Sequence, residues 1–282
     1  AKDAGQGGLV VFEPGMHQAV VERQRLRADI DDAVAGDQFI LHYQPVVELA
    51  TGRLAGAEAL VRWEHPTRGL VFPDRFIADA EASGRIVEIG QLTLLQACRE
   101  ARRWHDRFGD TLPLVMNVNL SPRQLHQADF VDRVRAALEA TGADPSALVL
   151  EITESVLVGD AEGTIAGLQG LRDLGVRVAL DDFGTGFSSL QYLVRLPVDT
   201  LKVAKQFVDG LGKGDRETAL AHAIVRMGQT MGMSVIAEGI ERAEQVELLR
   251  QVACDYGQGY LFGLPCDGPE MEAMLVEGRI WP

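Results

Sequence analysis

The segment FILHYQPVVELATGRLAGAEALVRW, residues 39–63, contains two apolar runs with the composition of β-strands. The runs FILHYQPVVEL and RLAGAEALVRW are joined only by the short stretch ATG. Two parallel strands need a crossover of about a dozen residues or more, which this stretch cannot supply. We therefore predict that the two strands form an antiparallel hairpin.

Helical and strand patterns alternate along the rest of the chain. Leu26, Ile30 and Val34 have helical spacing, and two further helices are predicted near 76–82 and 87–108. Six later runs, rich in Val, Ile and Leu, are typical of parallel strands covered on both faces. They are LPLVMNVNLS, ALVLEITES, VRVALDDFG, VDTLKVAK, MSVIAEG and CDYGQGYLFG. Eight strands with helical crossovers predict a TIM-type (β/α)₈ barrel with an antiparallel first strand; an open doubly wound sheet is the alternative.

The composition excludes some classes of protein. A chain of 282 residues, 46% hydrophobic, can bury one large core. Its formal net charge of −14 argues against binding nucleic acid by bulk electrostatics, although a small anion can bind where local cations offset the repulsion. The three cysteines form no C-x-x-C pair, so we expect unpaired, buried thiols and a reducing, cytoplasmic setting.

The start of the chain does not fit the barrel pattern. Residues 1–17, AKDAGQGGLVVFEPGMH, predict a helix end, a glycine-rich turn, an isolated strand and a Pro-Gly stop. A lone strand has no sheet to join, so we expect 1–19 to be the last part of a preceding domain and 20–282 to be one domain. The sequence contains no apolar stretch near the roughly 20 residues of a membrane span, so we expect this fragment to make no membrane contact.

Polar residues close the apolar strands one after another. The chemistry of such barrels lies at the carboxyl ends of the strands, so these side chains should meet at one rim. Capping of the following helices explains single cases but not the whole series. The residues are Glu58, Asn119, Glu151, Asp181, Asp182, Lys202, Glu238 and Gln258.

Five of these eight side chains are carboxylates, which would repel one another in a partly dry site. Two divalent cations would offset their charge, and hard oxygen ligands favour Mg²⁺ or Mn²⁺. Asp181 and Asp182 point to opposite sides of a regular strand, but a turn from Gly184 could bring both to one metal pair. Two metals about 3.5–4 Å apart suit attack of water on a phosphodiester, and the lysine and asparagine fit glycoside hydrolysis poorly.

Two cationic residues of this rim have alternative roles. Lys202 is either a charge stabiliser or proton acceptor beside the metals, or an ammonium that simply pairs with the acids. Arg62 either binds a phosphate with its fork of N–H donors or covers Trp63 at the surface. The G-T-G of residues 184–186 is a weak phosphate-loop signal, because the P-loop lysine is missing.

These residues lie in motifs that resemble the EAL-domain family of cyclic di-GMP phosphodiesterases. The resemblance covers about residues 20–275, and the start of the chain looks like the tail of a GGDEF domain, the diguanylate cyclase often fused upstream. The motifs are YQPVV, EALVRWEHP, NVNLSPRQL, LEITES, LDDFGTGFSSL, VIAEGIE and GQGYLFGLP.

The resemblance implies roles for individual residues. Ligands for two divalent cations, Mg²⁺ or Mn²⁺, would be Glu58, Asn119, Glu151, Asp181, Asp182 and Glu238. Catalytic roles would fall to Lys202, Glu238 and Glu58. Substrate contacts would come from Gln44, Leu60, Arg62, Asp182, Glu241, Gln258 and Pro265. Supporting residues would be Glu154, Thr185 and Ser188, with Glu154 anchoring the loop after Phe183.

The implied reaction converts cyclic di-GMP to linear pGpG, and homodimers are frequent in the family. One departure stands at Lys202-Val203-Ala204, where the family usually reads K-I-D. If the strand continued, position 204 would share a face with Lys202, so a carboxylate is missing there. Loss of such a supporting acid can cost about 10–100-fold in activity. We expect a slowed but competent enzyme; the alternatives are a cyclic di-GMP receptor and a dimerising regulatory module.

Overall fold

The computed structural model describes residues 26–109, 114–157, 160–184 and 193–282. The 1–19 segment lies outside these ranges, as do Thr185 and Ser188. The described strands alternate with helices after an initial hairpin, as predicted. The strands are β1 Phe39–Glu48, β2 Arg53–His65, β3 Gly69–Val71, β4 Val115–Asn119, β5 Leu148–Thr153, β6 Arg177–Phe183, β7 Thr200–Val203, β8 Ser234–Ala237 and β9 Tyr256–Gln258.

The helices cover the outside of the sheet and carry buried apolar residues on one face. They are α1 (26–35), α2 Ile77–Ser83, α3 Ile86–Phe108, α4 Pro122–Leu125, α5 Phe130–Thr141, α6 Ala161–Asp173, α7 Lys205–Asp209, α8 Asp215–Thr230, α9 Ala243–Gln251 and α10 Gly268–Glu277. None of the described helices has the length and apolar character needed to cross a membrane.

The sheet closes into a barrel of eight strands. From β4 to β9 each strand pairs in parallel with the next, and β2 pairs in parallel with β4. Strand β1 is antiparallel to both of its neighbours, β2 and β9. The predicted barrel with an antiparallel first strand is therefore confirmed, and the open doubly wound sheet is excluded. The short strand β3, which the sequence pattern did not reveal, pairs with β2 outside the barrel.

Some predicted strands end earlier than their apolar composition suggested. The run CDYGQGYLFG contributes only Tyr256–Gln258 to the barrel. The chain turns at Gly259, whose backbone packs so closely on Ile240 that a Cβ would lie 2.2 Å from the Ile240 nitrogen. Strand β7 ends at Val203, and Ala204 is the N-cap residue of the next helix, α7. The strand alternation that would place Ala204 on the same face as Lys202 therefore ends at Val203.

Two apolar clusters stabilise these elements. The main one fills the space between the barrel and its helices and includes the buried, unpaired thiols Cys98, Cys254 and Cys266. The second lies under the far end of β2, where Phe76 packs on Phe39 and Trp63 with ring centroids 5.5 and 5.7 Å away. This aromatic cluster fixes the part of β2 that extends beyond its pairing with β4 and carries Arg62, which is opposite Ile40 of β1.

Gly56→Ala tests how closely β2 and β4 approach one another. A Cβ at Gly56 would lie 2.2 Å from the carbonyl oxygen of Val115, so the backbones would have to separate. We expect a loss of about 3 kcal/mol in the free energy of unfolding by urea titration. Gly69→Ala is the control, because it has open space and should cost only about 1 kcal/mol for its left-handed backbone. Equal losses in the two variants would contradict the steric explanation.

Candidate active site

The polar residues predicted at the strand ends meet at one rim of the barrel. Glu58, Glu151, Lys202 and Gln258 are buried, whereas Asn119 and Asp182 are exposed to solvent. Glu238 follows the last residue of β8, where its backbone N–H donates to the carbonyl oxygen of Val203. The structure therefore brings all eight side chains into one region, as the strand pattern predicted.

Lys202 lies at the centre of the acidic residues. Its side chain is 1% exposed, and Nζ lies 2.6 Å from Glu238 Oε1 and 2.7 Å from Glu151 Oε2. The same ammonium is 3.3 Å from Glu58 Oε2 and 3.5 Å from Asp181 Oδ1. The side chain thus contacts carboxylates on β2, β5 and β6 and directly after β8, which matches the ion-pairing alternative of the sequence analysis. Glu58 lies within β2, which continues to His65, rather than at the end of its strand as predicted.

Burial and these contacts raise the pKa values of the lysine and of two of the acids. Burial by itself lowers the pKa of Lys202, but Glu151 and Glu238 outweigh it and hold the pKa well above its usual range. Burial and the neighbouring Glu58 raise the pKa of Glu151 well above the ordinary value. Burial also raises the pKa of Glu238 to about 8, although Lys202 opposes this. One ammonium therefore does not fully stabilise the ionised forms of Glu151 and Glu238.

The paired aspartates both face the site because β6 is irregular at its end. The pairing of β6 with β7 shifts between Leu180 and Phe183, and Asp182 has a left-handed backbone with φ of 52°. We expected the turn to begin at Gly184; the alternation instead breaks at Asp182 itself. As a result, carboxylate oxygens of Asp181, Asp182 and Glu238 all lie within 4.8 Å of one another.

A chain of amides orients Glu58. Gln258 donates from Nε2 to Glu58 Oε2 at 2.7 Å and to Gln44 Oε1 at 2.9 Å, while Gln44 donates to the carbonyl oxygen of Gly263. Asn119 donates to Glu58 Oε1 at 2.6 Å. Despite its burial, the pKa of Glu58 is lowered, because Lys202 and these amides stabilise the charged form. Glu58 is therefore held as a carboxylate with a fixed orientation.

Oxygen ligands with the spacing of a cation site occur in this rim, in the three close carboxylates of Asp181, Asp182 and Glu238. In addition, Glu151 Oε1 is buried and has no hydrogen-bond partner, which is costly for a carboxylate unless a cation binds it. Hard oxygen donors of this kind suit Mg²⁺ or Mn²⁺.

Of the remaining predicted residues, Gln44 and Glu241 line a cleft beside the acidic residues. The cleft has a volume of about 260 Å³ and is also lined by Glu58, Glu238 and Tyr260. Glu241 is exposed and accepts a hydrogen bond from Lys205 Nζ at 2.7 Å. Leu60 and Pro265 are half-buried, on β2 and in the segment after Gly263. Glu154 Oε1 accepts from the backbone N–H of Gly184 at 2.8 Å and so contacts the start of the following loop.

Sequence reasoning missed two residues that line this cleft. Lys205 joins Glu241 to Asp209, with Nζ 3.1 Å from Asp209 Oδ1. Tyr260 is 62% exposed at the cleft edge, where an aromatic ring provides a flat apolar surface. The exposed aromatic next to the Gly259 turn could have been recognised as a binding surface. Lys205 follows the apparent end of β7 and had no distinguishing pattern.

Comparison with known proteins now identifies the family. A family model described as the EAL domain matches residues 27–265. The chain belongs to the EAL domain family.

Two curated relatives come from Pseudomonas aeruginosa. The chain is 41% identical over 98% of its length to the bifunctional diguanylate cyclase/cyclic di-GMP phosphodiesterase MucR, and it is 40% identical over 98% of its length to the cyclic di-GMP phosphodiesterase NbdA. The chain spans 40% of the first relative and 35% of the second.

Solved structures of EAL domains share the fold. The PaMucR phosphodiesterase in complex with c-di-GMP superposes with a TM-score of 0.82 at 41% identity, covering 88% of this chain and 99% of that one. The EAL domain of Mycobacterium smegmatis DcpA gives a TM-score of 0.74 at 35% identity, covering 87% of this chain and 99% of that one.

Lys202→Met tests the charge balance of the metal-free protein. Removal of the ammonium leaves buried carboxylates unpaired, so we expect a loss of about 3 kcal/mol in EDTA, measured by urea unfolding. Added Mn²⁺ should restore part of that loss, because a bound cation replaces the missing charge.

Lys205→Met is the matched control for Lys202→Met. Lys205 also contacts two carboxylates, but its side chain is 50% exposed, so its removal should cost at most about 1 kcal/mol. If the Lys202 variant is as stable as wild type in EDTA, the proposed charge balance is wrong.

Proposed function

We propose that this EAL domain is a metal-dependent phosphodiesterase that hydrolyses cyclic di-GMP to linear pGpG. The observation that carries the proposal is the close group of Asp181, Asp182 and Glu238 beside the buried, unpartnered oxygen of Glu151. The names of the relatives MucR and NbdA, both cyclic di-GMP phosphodiesterases, support the substrate.

Glu58, Asn119, Glu151 and Asp181 would hold one divalent cation, and Asp181, Asp182 and Glu238 the other. When bound, such a pair of cations activates water and neutralises charge on a phosphodiester. Hydrolysis breaks one P–O3′ bond of the cyclic dinucleotide, places a hydroxyl on phosphorus and a proton on O3′. Glu238 is the candidate to accept the proton of the attacking water, since it lies against both Lys202 and the aspartates.

The neighbouring residues would bind and orient the substrate. Arg62 extends from β2 beyond Glu58 and would bind a phosphodiester oxygen with its N–H groups. Gln44, Gln258, Leu60, Glu241 and Pro265 would contact the rest of the cyclic dinucleotide. Lys202 would stabilise the negative charge of the site, and Glu154 would fix the loop that begins at Gly184.

Several broader assignments belong to this proposal. We place the EAL domain at 20–282 and a GGDEF remnant at 1–19, with the cyclase domain upstream; the bifunctional name of MucR supports the pairing of these two activities in one protein. A homodimer is proposed from the family resemblance. The receptor and regulatory-module alternatives are less favoured because the proposed ligand set contains no substitution.

Glu58→Gln tests the hydrolytic function. Purified protein, cyclic di-GMP and Mn²⁺ or Mg²⁺ should yield pGpG, and the variant should lose at least about 100-fold in kcat/KM by chromatography of the products. Glu48→Gln, at the opposite end of the barrel, is the control that should keep the wild-type rate. Tight binding of cyclic di-GMP by the wild type without turnover in either metal would favour the receptor instead.

Ala204→Asp tests the departure from the family pattern. Ala204 occupies the N-cap of α7, and its side chain cannot accept a hydrogen bond from the first turn. An aspartate there could cap the helix and stabilise the protein by about 1 kcal/mol in urea unfolding. We also expect faster turnover of cyclic di-GMP, because α7 follows directly on the strand that carries Lys202. A lower rate in this variant would contradict that account.

A further inference from the structure

Arg62 is a buried cation without a carboxylate partner in the described part of the chain. It is 5% exposed, Nη1 donates to the carbonyl oxygen of its neighbour Val61 at 2.9 Å, and the buried Nε has no hydrogen-bond partner. Burial lowers the pKa of Arg62, and the more distant charges of Glu58 and Asp74 offset this only in part. No carboxylate of the described residues therefore competes for the N–H groups of this guanidinium.

One aromatic ring covers this guanidinium. The Cζ atom of Arg62 lies 5.1 Å from the ring centroid of Phe72, within the range of a cation–π contact. Phe72 is nevertheless 53% exposed, which is unusual for a side chain of its size. The ring thus has one side on Arg62 while much of its surface remains in contact with solvent.

The backbone of Phe72 is fixed on both sides. The preceding residue, Val71, pairs with Trp63 between β3 and β2. On the other side, the carbonyl oxygen of Phe72 accepts from the N–H of Arg75 in a short 3₁₀ turn that begins at Pro73. Phe76, fully buried against Trp63, anchors the end of that turn. The position of the ring over Arg62 is therefore set by β3 and by the aromatic cluster.

We propose that Phe72 is a positioning residue that holds the guanidinium of Arg62 for a phosphodiester oxygen of the substrate. This inference rests on the proposed hydrolysis of cyclic di-GMP. Without a carboxylate partner or the ring, the Arg62 side chain would sample several rotamers. Binding of the phosphate would then cost the conformational entropy of restricting it to one of them. Phe72 restricts these rotamers before the substrate binds. Because the ring contacts the face of the guanidinium, it does not accept hydrogen bonds from the N–H groups, whereas a carboxylate would.

Phe72→Leu tests this role, because leucine keeps an apolar side chain but removes the π face. We expect KM for cyclic di-GMP to rise about five- to tenfold with kcat within about twofold of wild type. Phe72→Tyr should restore the wild-type KM. In an Arg62→Ala background, Phe72→Leu should change KM no further, because the group that it positions is gone.

Leu70→Ala is the matched control for loss of an exposed apolar side chain. Leu70 lies on β3, two residues before Phe72, and is 39% exposed, so its removal should leave KM unchanged. The inference is overturned if Phe72→Leu has the wild-type KM, or if its effect persists at full size without Arg62. If the wild type neither binds nor hydrolyses cyclic di-GMP, the proposed function is overturned together with this inference. The assay of the wild type alone distinguishes that outcome from a failure of the inference about Phe72.

Discussion

The contact between the Lys202 ammonium and four carboxylates links the fold of this protein to its chemistry. Glu58, Glu151 and Asp181 lie on strands spaced around the barrel and Glu238 directly follows another, so they surround Nζ only when the barrel is closed. The positive charge of the lysine then lowers the free-energy cost of burying these acids, which would be high for an isolated carboxylate. One ammonium does not balance five carboxylates, and this excess of acids supports the proposed binding of divalent cations.

The reversed direction of β1 shapes the same rim. Because β1 runs antiparallel between β2 and β9, Gln44 lies opposite Glu58 and close to Gln258. A parallel first strand would present a different residue at this level of the barrel. The two amides instead form a hydrogen-bonded chain that ends on Glu58 Oε2. The turn in the hairpin, only a few residues long, thus determines which side chain orients a proposed metal ligand.

The sequence was sufficient to predict the barrel, its antiparallel strand and the residues of the rim, because alternating strands and helices bring successive strand ends together. It could not show that β6 is irregular at Asp182, since a left-handed aspartate followed by phenylalanine has no local signature in this segment. It left the partners of Lys202 open, because those contacts join residues up to 144 positions apart. The prediction that Ala204 lies on a strand was wrong for a related reason. The sequence does not show that β7 ends before Ala204, which is the N-cap residue of α7.

The separate environments of Lys202 and Arg62 explain how an acidic protein could bind an anionic dinucleotide. Lys202 is surrounded by carboxylates, so its positive charge is largely neutralised by acids of the protein itself. Arg62 lies further along β2, where the strand has left the acidic cluster, and its guanidinium contacts an aromatic ring rather than an acid. A carboxylate at the position of Phe72 would hold Arg62 equally well but would compete with the phosphate for the same N–H groups. An uncharged ring therefore resolves the conflict between fixing a cation and keeping it available to an anionic ligand.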